Sequence, residues 1–380
     1  MSTQIQKNIT NKKNVKKYLD FTFENLQIEG YEAVYKITNE KENLLAIISM
    51  HDVTLGTALG GTRIKSYKSF NDALTDALRL SKGMSYKAAI SEVGLGGGKS
   101  VIIVDDIKDK NENLLKAFGK AVDLLEGKYI CAEDMGCTPQ DVEHIHENTK
   151  YVVGLPTEKS SGNPSRFTSY GVVQGIKATL KKLFGTSNLK NRKIAIQGLG
   201  SVGELLIEHL FWAGADLIVS DIDMQKAKSF ASIYGAIAVE PEAIHKVECD
   251  IFTPCAIGGT INDETIDELN CKAVCGAANN QLLEDRHADI LKDKNILYAP
   301  DFVVNAGGLI NVSTELEKDG YHPKKAKEKI YKIYNELLEI YKIAEENNIS
   351  TNKAAIKLAQ FKMKSGIGRR KDKLYFHHSE

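Results

Sequence analysis

Beyond a polar, charged opening, apolar and polar residues alternate in Tyr31-Glu32-Ala33-Val34-Tyr35-Lys36-Ile37, and an apolar run follows in Leu44-Leu45-Ala46-Ile47-Ile48. Both predict strands. From Phe70 to Ile90 the pattern changes to helical spacing, with Ala73, Ala77 and Leu80 on one stripe widened by Leu74 and Leu78. This predicts a helix, interrupted near Gly83. Further strands are expected at Ser100-Val101-Ile102-Ile103-Val104 and Tyr129-Ile130-Cys131-Ala132, the latter ending in Glu133-Asp134. Thr138-Pro139 then reads as a helix start, with threonine as N-cap and proline at the first helical position.

The stretch from Gly154-Leu155-Pro156 to Ser160-Ser161-Gly162-Asn163-Pro164-Ser165 is rich in Pro, Gly and Ser and marks a boundary. After a helix over about Thr168 to Leu183, short apolar runs alternate with helical segments. The runs are Lys193–Ile196, Asp216–Val219, Ala236–Val239, Asp250–Phe252, Ala273–Val274 and Asn295–Leu297. That alternation predicts a doubly wound parallel sheet. Helical patterns over Lys324 to Glu346 and Thr351 to Met363 close the chain. The predicted organisation is residues 1–155 as a first α/β domain, 156–345 as a second, and 346–380 as a helical segment packing back toward the first.

Composition narrows the class. The 380 residues suit two domains. The 50 basic and 50 acidic side chains cancel, so neither nucleic acid nor an anionic membrane is the expected partner. No apolar run has the length of a membrane span, and the N-terminus lacks a secretory pattern, so a cytoplasmic location is expected. The six scattered cysteines form no Cys-x-x-Cys and predict reduced thiols without a metal site.

Candidate chemistry begins with Lys87 and with Lys99, which closes the glycine run Gly94-Leu95-Gly96-Gly97-Gly98. A phosphate loop needs glycine where Val93 stands, so that reading fails. The residues alone leave two others: a ligand floor with an ammonium aimed at it, or a plain connection with a solvated lysine. By its position Lys99 belongs to the turn entering the next strand. Downstream, Gly198-Leu199-Gly200-Ser201-Val202-Gly203 follows a predicted strand and opens a predicted helix, and Asp221 ends the next strand. In that context Gly198 makes the turn, Gly200 admits a pyrophosphate, Gly203 packs helix on strand, and Asp221 pairs with ribose hydroxyls. The cofactor predicted is NAD. Asp223 is the alternative for the ribose role.

Six motifs in order carry a resemblance: Gly60-Gly61-Thr62-Arg63, Lys82-Gly83-Met84-Ser85-Tyr86-Lys87, Gly96-Gly97-Gly98-Lys99, Glu133-Asp134-Met135-Gly136, the glycine loop, and Pro300-Asp301-Phe302-Val303-Val304-Asn305-Ala306-Gly307-Gly308. From about Tyr31 to Leu358 the chain resembles the glutamate/leucine/phenylalanine/valine dehydrogenases, most closely the leucine branch. The resemblance implies an N-terminal α/β substrate domain, a Rossmann domain and an active-site cleft between them. It implies NAD-linked, reversible oxidative deamination of an L-amino acid to a 2-oxo acid and ammonia, by a homo-oligomer, an octamer by family pattern. Lys87 matches the residue that holds the substrate carboxylate, and Lys99 the catalytic lysine, its pKa lowered by burial and by Lys87. Asp134 matches the acid that exchanges protons with the amino group, although the residues alone also allow it to cap the helix after Thr138. Asn280, with Asn279, matches the residue positioning nicotinamide and substrate. Gly60, Gly61 and Asn305 lie at the substrate end.

Leu59, Ala132, Leu309 and Val312 match the pocket wall. All are apolar, which disfavours a γ-carboxylate and favours leucine, valine or isoleucine. Asn279 stands where leucine dehydrogenases carry aspartate, and Cys137 where threonine is usual. The double asparagine resembles phenylalanine dehydrogenase, so an aromatic substrate is the alternative. A non-catalytic NAD-binding protein is a third reading, opposed by the joint presence of Lys87, Lys99 and Asp134.

Overall fold

A computed structural model describes residues 15–377, which group into two units. Unit 1 comprises residues through Asn163, then Val312–His322 and the chain from Phe361; unit 2 comprises Pro164–Asn311 and Pro323–Gln360. The chain therefore leaves and re-enters unit 1 twice, where the sequence suggested one excursion over 156–345. Buried hydrogen bonds explain two of these assignments. The Glu315 carboxylate accepts from the Gly154 and Ser161 N–H groups at 3.0 and 2.9 Å and from Ser160 Oγ at 2.6 Å, which holds 154–161 in unit 1. Lys362 Nζ reaches Glu92 at 2.8 Å, and the Arg370 N–H donates to Leu55 O at 2.9 Å.

Unit 1 is built on a seven-stranded mixed sheet of β1 (Val15–Tyr18), β2 (Phe21–Asn25), β3 (Ala33–Asn39), β4 (Leu44–Asp52), β5 (Ala58–Lys65), β6 (Gly96–Ile103) and β7 (Tyr129–Glu133). The strand order is β1-β2-β3-β4-β6-β5-β7. Pairing is antiparallel from β1 through β4 to β6, and parallel from β6 to β5 to β7. Because successive side chains alternate, each face has its own core. Helix α1 (Phe70–Ser91) buries Leu74, Ala77 and Leu78 with Val34, Ile47 and Val101. Helices α2 (Glu112–Asp123) and α3 (Pro139–His146) bury Leu115, Phe118, Val122 and Ile145 with Ile48, Ile102 and Tyr129.

Two local expectations are corrected. Helix α1 runs unbroken through Gly83, where an added Cβ would meet nothing within 4 Å, so glycine lowers helix propensity there without a steric reason to stop. Lys87 accordingly lies inside the helix. Strand β6 starts at Gly96, so Lys99 stands within a strand rather than at a turn. The glycines are sheet residues because their neighbours leave no room for a side chain. A Cβ on Gly97 would sit 2.2 Å from Ser85 N, and one on Gly98 2.7 Å from the Tyr129 ring.

Unit 2 opens with α4 (Ser165–Phe184) and contains a six-stranded, wholly parallel sheet. The strands are β8 (Lys193–Gln197), β9 (Asp216–Ser220), β10 (Ile237–Ala238), β11 (Cys249–Pro254), β12 (Cys271–Val274) and β13 (Leu297–Tyr298). Their order, β10-β9-β8-β11-β12-β13, reverses direction of winding at β8, the doubly wound arrangement expected. Helices α5 (Gly203–Trp212), α6 (Met224–Tyr234) and α7 (Arg286–Asp293) supply crossovers. After α8 (Asp301–Val304) and α9 (Gly307–Ser313), the last pattern resolves into α10 (Pro323–Ile330), α11 (Lys332–Glu346) and α12 (Thr351–Ser365). No helix among the described residues is long and apolar enough to cross a membrane.

Candidate active site

The parallel pairing of β5 with both β6 and β7 assembles a charged cluster in unit 1. It requires close backbone approach. A Cβ on Gly60 would lie 1.7 Å from Gly98 O, and one on Gly61 2.5 Å from Glu133 O and 2.8 Å from Asp134 Cβ. Beneath these strands the buried Tyr129 hydroxyl donates to Gly60 O at 2.7 Å and pairs with Ser100 Oγ at 3.0 Å. The parts carrying Lys99 and Asp134 are thus locked in register.

Lys99 Nζ, on a residue only 4% exposed, lies 2.9 Å from Asp134 Oδ1. The other carboxylate oxygen, Oδ2, accepts from Arg63 Nε at 2.9 Å. Arg63 also donates from NH1 to Asp76 Oδ2 at 2.9 Å, and the Tyr67 hydroxyl donates to the same oxygen at 2.7 Å. Asp134 is therefore no helix cap. That duty falls to Thr138, whose side chain accepts from the Asp141 N–H while the Asp141 carboxylate accepts from the Thr138 N–H.

These contacts set the electrostatics. Burial pushes the Lys99 pKa below the ordinary lysine value; the Asp134 charge pulls it upward and Arg63 pushes it down again. The sequence reading named Lys87 as a crowding cation; the structure adds Arg63 as a cation acting on Lys99. Burial alone would raise the Asp134 pKa, but Lys99 and Arg63 outweigh it and hold the carboxyl at about 2. Asp134 is thus an ionised acceptor at neutral pH, beside an amine biased toward neutrality.

The other predicted residues of unit 1 lie on β5, on β7, on α1 and beside Gly154. Leu59 is buried, and Ala132, whose strand pairs Gly61 with it, is half-buried. Leu59 pairs with Gly97, two residues before Lys99, so both lie on the face of α1. Lys87 is half-buried on α1, whose Ser81 and Ser85 pack on Gly97. Val312 is buried, with Cγ1 4.0 Å from a Cβ built on Gly154.

Unit 2 holds the remainder. Gly198 has φ +92° and Gly203 would place a Cβ 2.1 Å from Gly198 O, so the loop Gly198-Leu199-Gly200-Ser201-Val202-Gly203 is tight at both ends. Between them Gly200 faces open space, with nothing within 4 Å of a Cβ. Asp221 accepts the Leu199 N–H at 2.7 Å through Oδ2, which ties the acid to the loop. Asp223 instead caps α6, accepting from Gln225 and Lys226 N–H groups. Asn305 is buried and donates Nδ2 to Asn279 Oδ1 at 2.7 Å and to Ala277 O at 3.0 Å, while its Oδ1 has no hydrogen-bond partner. Asn280, exposed, has a left-handed φ of 53°, and its carbonyl accepts from the Gly259 N–H at 2.8 Å. Leu309 is buried. The open Gly200 surface, the N-terminus of α5 and the unpaired Asn305 acceptor together fit a dinucleotide with an amide-bearing head.

Two family models match this chain: Glu/Leu/Phe/Val dehydrogenase, dimerisation domain, over residues 31–151, and Glutamate/Leucine/Phenylalanine/Valine dehydrogenase over residues 219–366. The chain belongs to the Glu/Leu/Phe/Val dehydrogenase family. Like its relatives it is an amino-acid dehydrogenase, an oxidoreductase that uses a nicotinamide nucleotide. It is 48% identical over 344 residues to the leucine dehydrogenase of Bacillus cereus, covering 90% of this chain and 93% of the relative. It is also 48% identical over 337 residues to the phenylalanine dehydrogenase of Caldalkalibacillus thermarum, covering 87% and 90%. The crystal structure of L-tryptophan dehydrogenase from Nostoc punctiforme superposes with a TM-score of 0.79 at 44% identity, over 89% of this chain and 97% of that one. Within this dehydrogenase, Arg63, Asp76 and Tyr67 were assigned no task from sequence. Arg63 was visible there only as the end of the Gly60-Gly61-Thr62-Arg63 motif.

Proposed function

We propose that this dehydrogenase catalyses the reversible, NAD-dependent oxidative deamination of a branched-chain L-amino acid, leucine, valine or isoleucine, to its 2-oxo acid and ammonia. The observation that carries the reading is the buried Lys99–Asp134 pair, 2.9 Å apart. When bound, the nicotinamide supplies the hydride acceptor. Lys87 anchors the substrate carboxylate as a point charge. Asp134, ionised, accepts a proton from the substrate ammonium, so that the α-carbon can lose hydride and become an iminium carbon. Neutral Lys99 takes the proton from the water that attacks this carbon. Asp134 then returns its proton to the nitrogen, and as the C–N bond breaks to release ammonia the hydroxyl proton passes to the again-ionised Asp134, leaving the carbonyl of the 2-oxo acid. The glycine loop and Asp221 bind the dinucleotide, Asp221 favouring a free ribose hydroxyl, while Asn279, Asn280 and Asn305 orient its head and the substrate.

Leu59, Ala132 and Val312 of unit 1 and Leu309 of unit 2 are all apolar and supply no counter-charge for a γ-carboxylate, and the leucine dehydrogenases of Bacillus cereus and Geobacillus stearothermophilus are both 48% identical to this chain. The Asn279-Asn280 pair favours a second reading, an aromatic L-amino acid. A panel of L-amino acids assayed by NADH appearance separates the two. Leucine, valine and isoleucine are expected to turn over fastest; phenylalanine outrunning leucine overturns the substrate class, and no turnover with NAD bound overturns the activity. We further propose a cytoplasmic homo-oligomer, an octamer by resemblance. The match of residues 31–151 to a dimerisation domain supports assembly, and six unpaired cysteines suit a reducing compartment. Light scattering of the purified protein measures the subunit number.

A further inference from the structure

Arg63 makes no use of its charge at the surface. Its side chain is 12% exposed and spans two carboxylates, Asp134 through Nε and Asp76 through NH1, each at 2.9 Å. The Tyr67 hydroxyl, 2.7 Å from the Asp76 oxygen that Arg63 also engages, closes the far end. The result is a continuous chain, Tyr67–Asp76–Arg63–Asp134–Lys99, running through α1, β5, β6 and the end of β7. A carboxylate bound on one oxygen can rotate; bound on both by different cations it has one orientation. A planar guanidinium is the group that can donate to two acids in fixed directions, whereas an ammonium is a single point charge.

We propose that Arg63 is a positioning residue for amino-acid deamination: it fixes Asp134 Oδ1 toward Lys99, and Asp76 with Tyr67 fixes Arg63. The inference rests on the reaction proposed above. The groups acting on Asp134 are Lys99 on β6, Arg63 on β5, and, at longer range, Tyr67 after β5, Glu133 on β7 and Tyr129 on the opposite side of the sheet, while Asp76 on α1 acts on Lys99, Arg63 and Tyr67. Removing the Arg63 charge raises the proton affinity of both Asp134 and Lys99, because a nearby cation disfavours protonation of each. The acid limb of the pH–rate profile, which belongs to the pair jointly, therefore moves upward.

The test compares Arg63→Gln and Arg63→Lys with the wild-type enzyme. Arg63→Gln is expected to shift the acid limb of kcat/KM up by about 1–3 pH units and to lower kcat about 10- to 100-fold, with NADH affinity changed less than about twofold. Arg63→Lys is expected to restore most of the pH shift but not kcat, since it returns charge without the two-acid geometry. A second measurement does not depend on turnover. Infrared titration follows the protonated-carboxyl band, assigned by its loss in Arg63→Gln/Asp134→Asn, and in Arg63→Gln that band is expected to appear at higher pH than in the wild type. An Arg63→Gln enzyme that melts earlier but keeps its pH profile and its carboxyl titration overturns the positioning role and leaves the dehydrogenase reading intact. A wild-type protein inactive on every amino acid overturns that reading instead, and the infrared comparison still decides whether Arg63 controls Asp134.

Discussion

Lys99 Nζ and Asp134 Oδ1 meet at 2.9 Å although they come from strands that are not neighbours: β5 lies between β6, which carries Lys99, and β7, which ends just before Asp134. The two side chains reach across β5 where Gly61 presents no Cβ, since one there would touch Asp134 Cβ at 2.8 Å. A base and an acid are thereby held together in a largely buried place, each altering the protonation of the other.

Replacing Lys99 with alanine removes the proposed proton acceptor for water. Turnover is expected to fall by about 10²- to 10⁴-fold, the range for a general base, while NAD affinity, which we assign to the unit 2 loop, is expected to change little. Steady-state kinetics with isothermal titration of the nucleotide checks both halves. A variant that turns over at the wild-type rate excludes Lys99 from the chemistry.

Acid stability follows from Asp134. Its folded pKa is depressed to about 2 from an ordinary 3.8, so its stabilisation is complete above 3.8 and is lost as pH falls from there toward 2. The difference corresponds to about 2 kcal/mol. Urea unfolding over that window is expected to show a shallower pH dependence in Asp134→Asn than in the wild type. The variant is also less stable at neutral pH, because Lys99 is left buried without its carboxylate.

Two glycines separate folding from binding. Gly60→Ala places a Cβ 1.7 Å from Gly98 O and is expected to cost about 3 kcal/mol or more by forcing β5 from β6. Gly200→Ala meets nothing within 4 Å and is expected to keep the wild-type melting temperature while weakening nucleotide binding by obstructing the loop. Thermal melts with and without NADH distinguish the two outcomes.

Asp221→Ser removes the carboxylate that accepts the Leu199 N–H and is proposed to pair with ribose. The preference for NAD over NADP, taken as a ratio of kcat/KM, is expected to fall about tenfold or more, the scale of a charged hydrogen bond. An unchanged ratio argues against the ribose role.

Much of this molecule is written in local pattern. The strand–glycine loop–helix from Lys193 to Trp212, the helix from Phe70 and the alternation of short apolar runs with helices after Lys193 are all periodicities of a few residues, set by which side chains face a core. Lys99, Asp134 and the glycine loop could be singled out because a motif keeps its chemistry within a short span. Arg63, Asp76 and Tyr67 could not, since nothing nearby in the chain distinguishes an arginine that spans two buried acids from one on a solvated strand. Gly96, Gly97 and Gly98 looked like a turn for the same reason: their place in a strand depends on Ser85 and Tyr129, which approach from a helix and another strand. The double return of the chain to unit 1, held by Glu315 and Lys362, likewise depends on partners more than 150 residues away. Short-range sterics and burial periodicity determine elements and motifs; the protonation and orientation of Lys99 and Asp134 arise from non-local packing, where charges distant in sequence share one low-dielectric site.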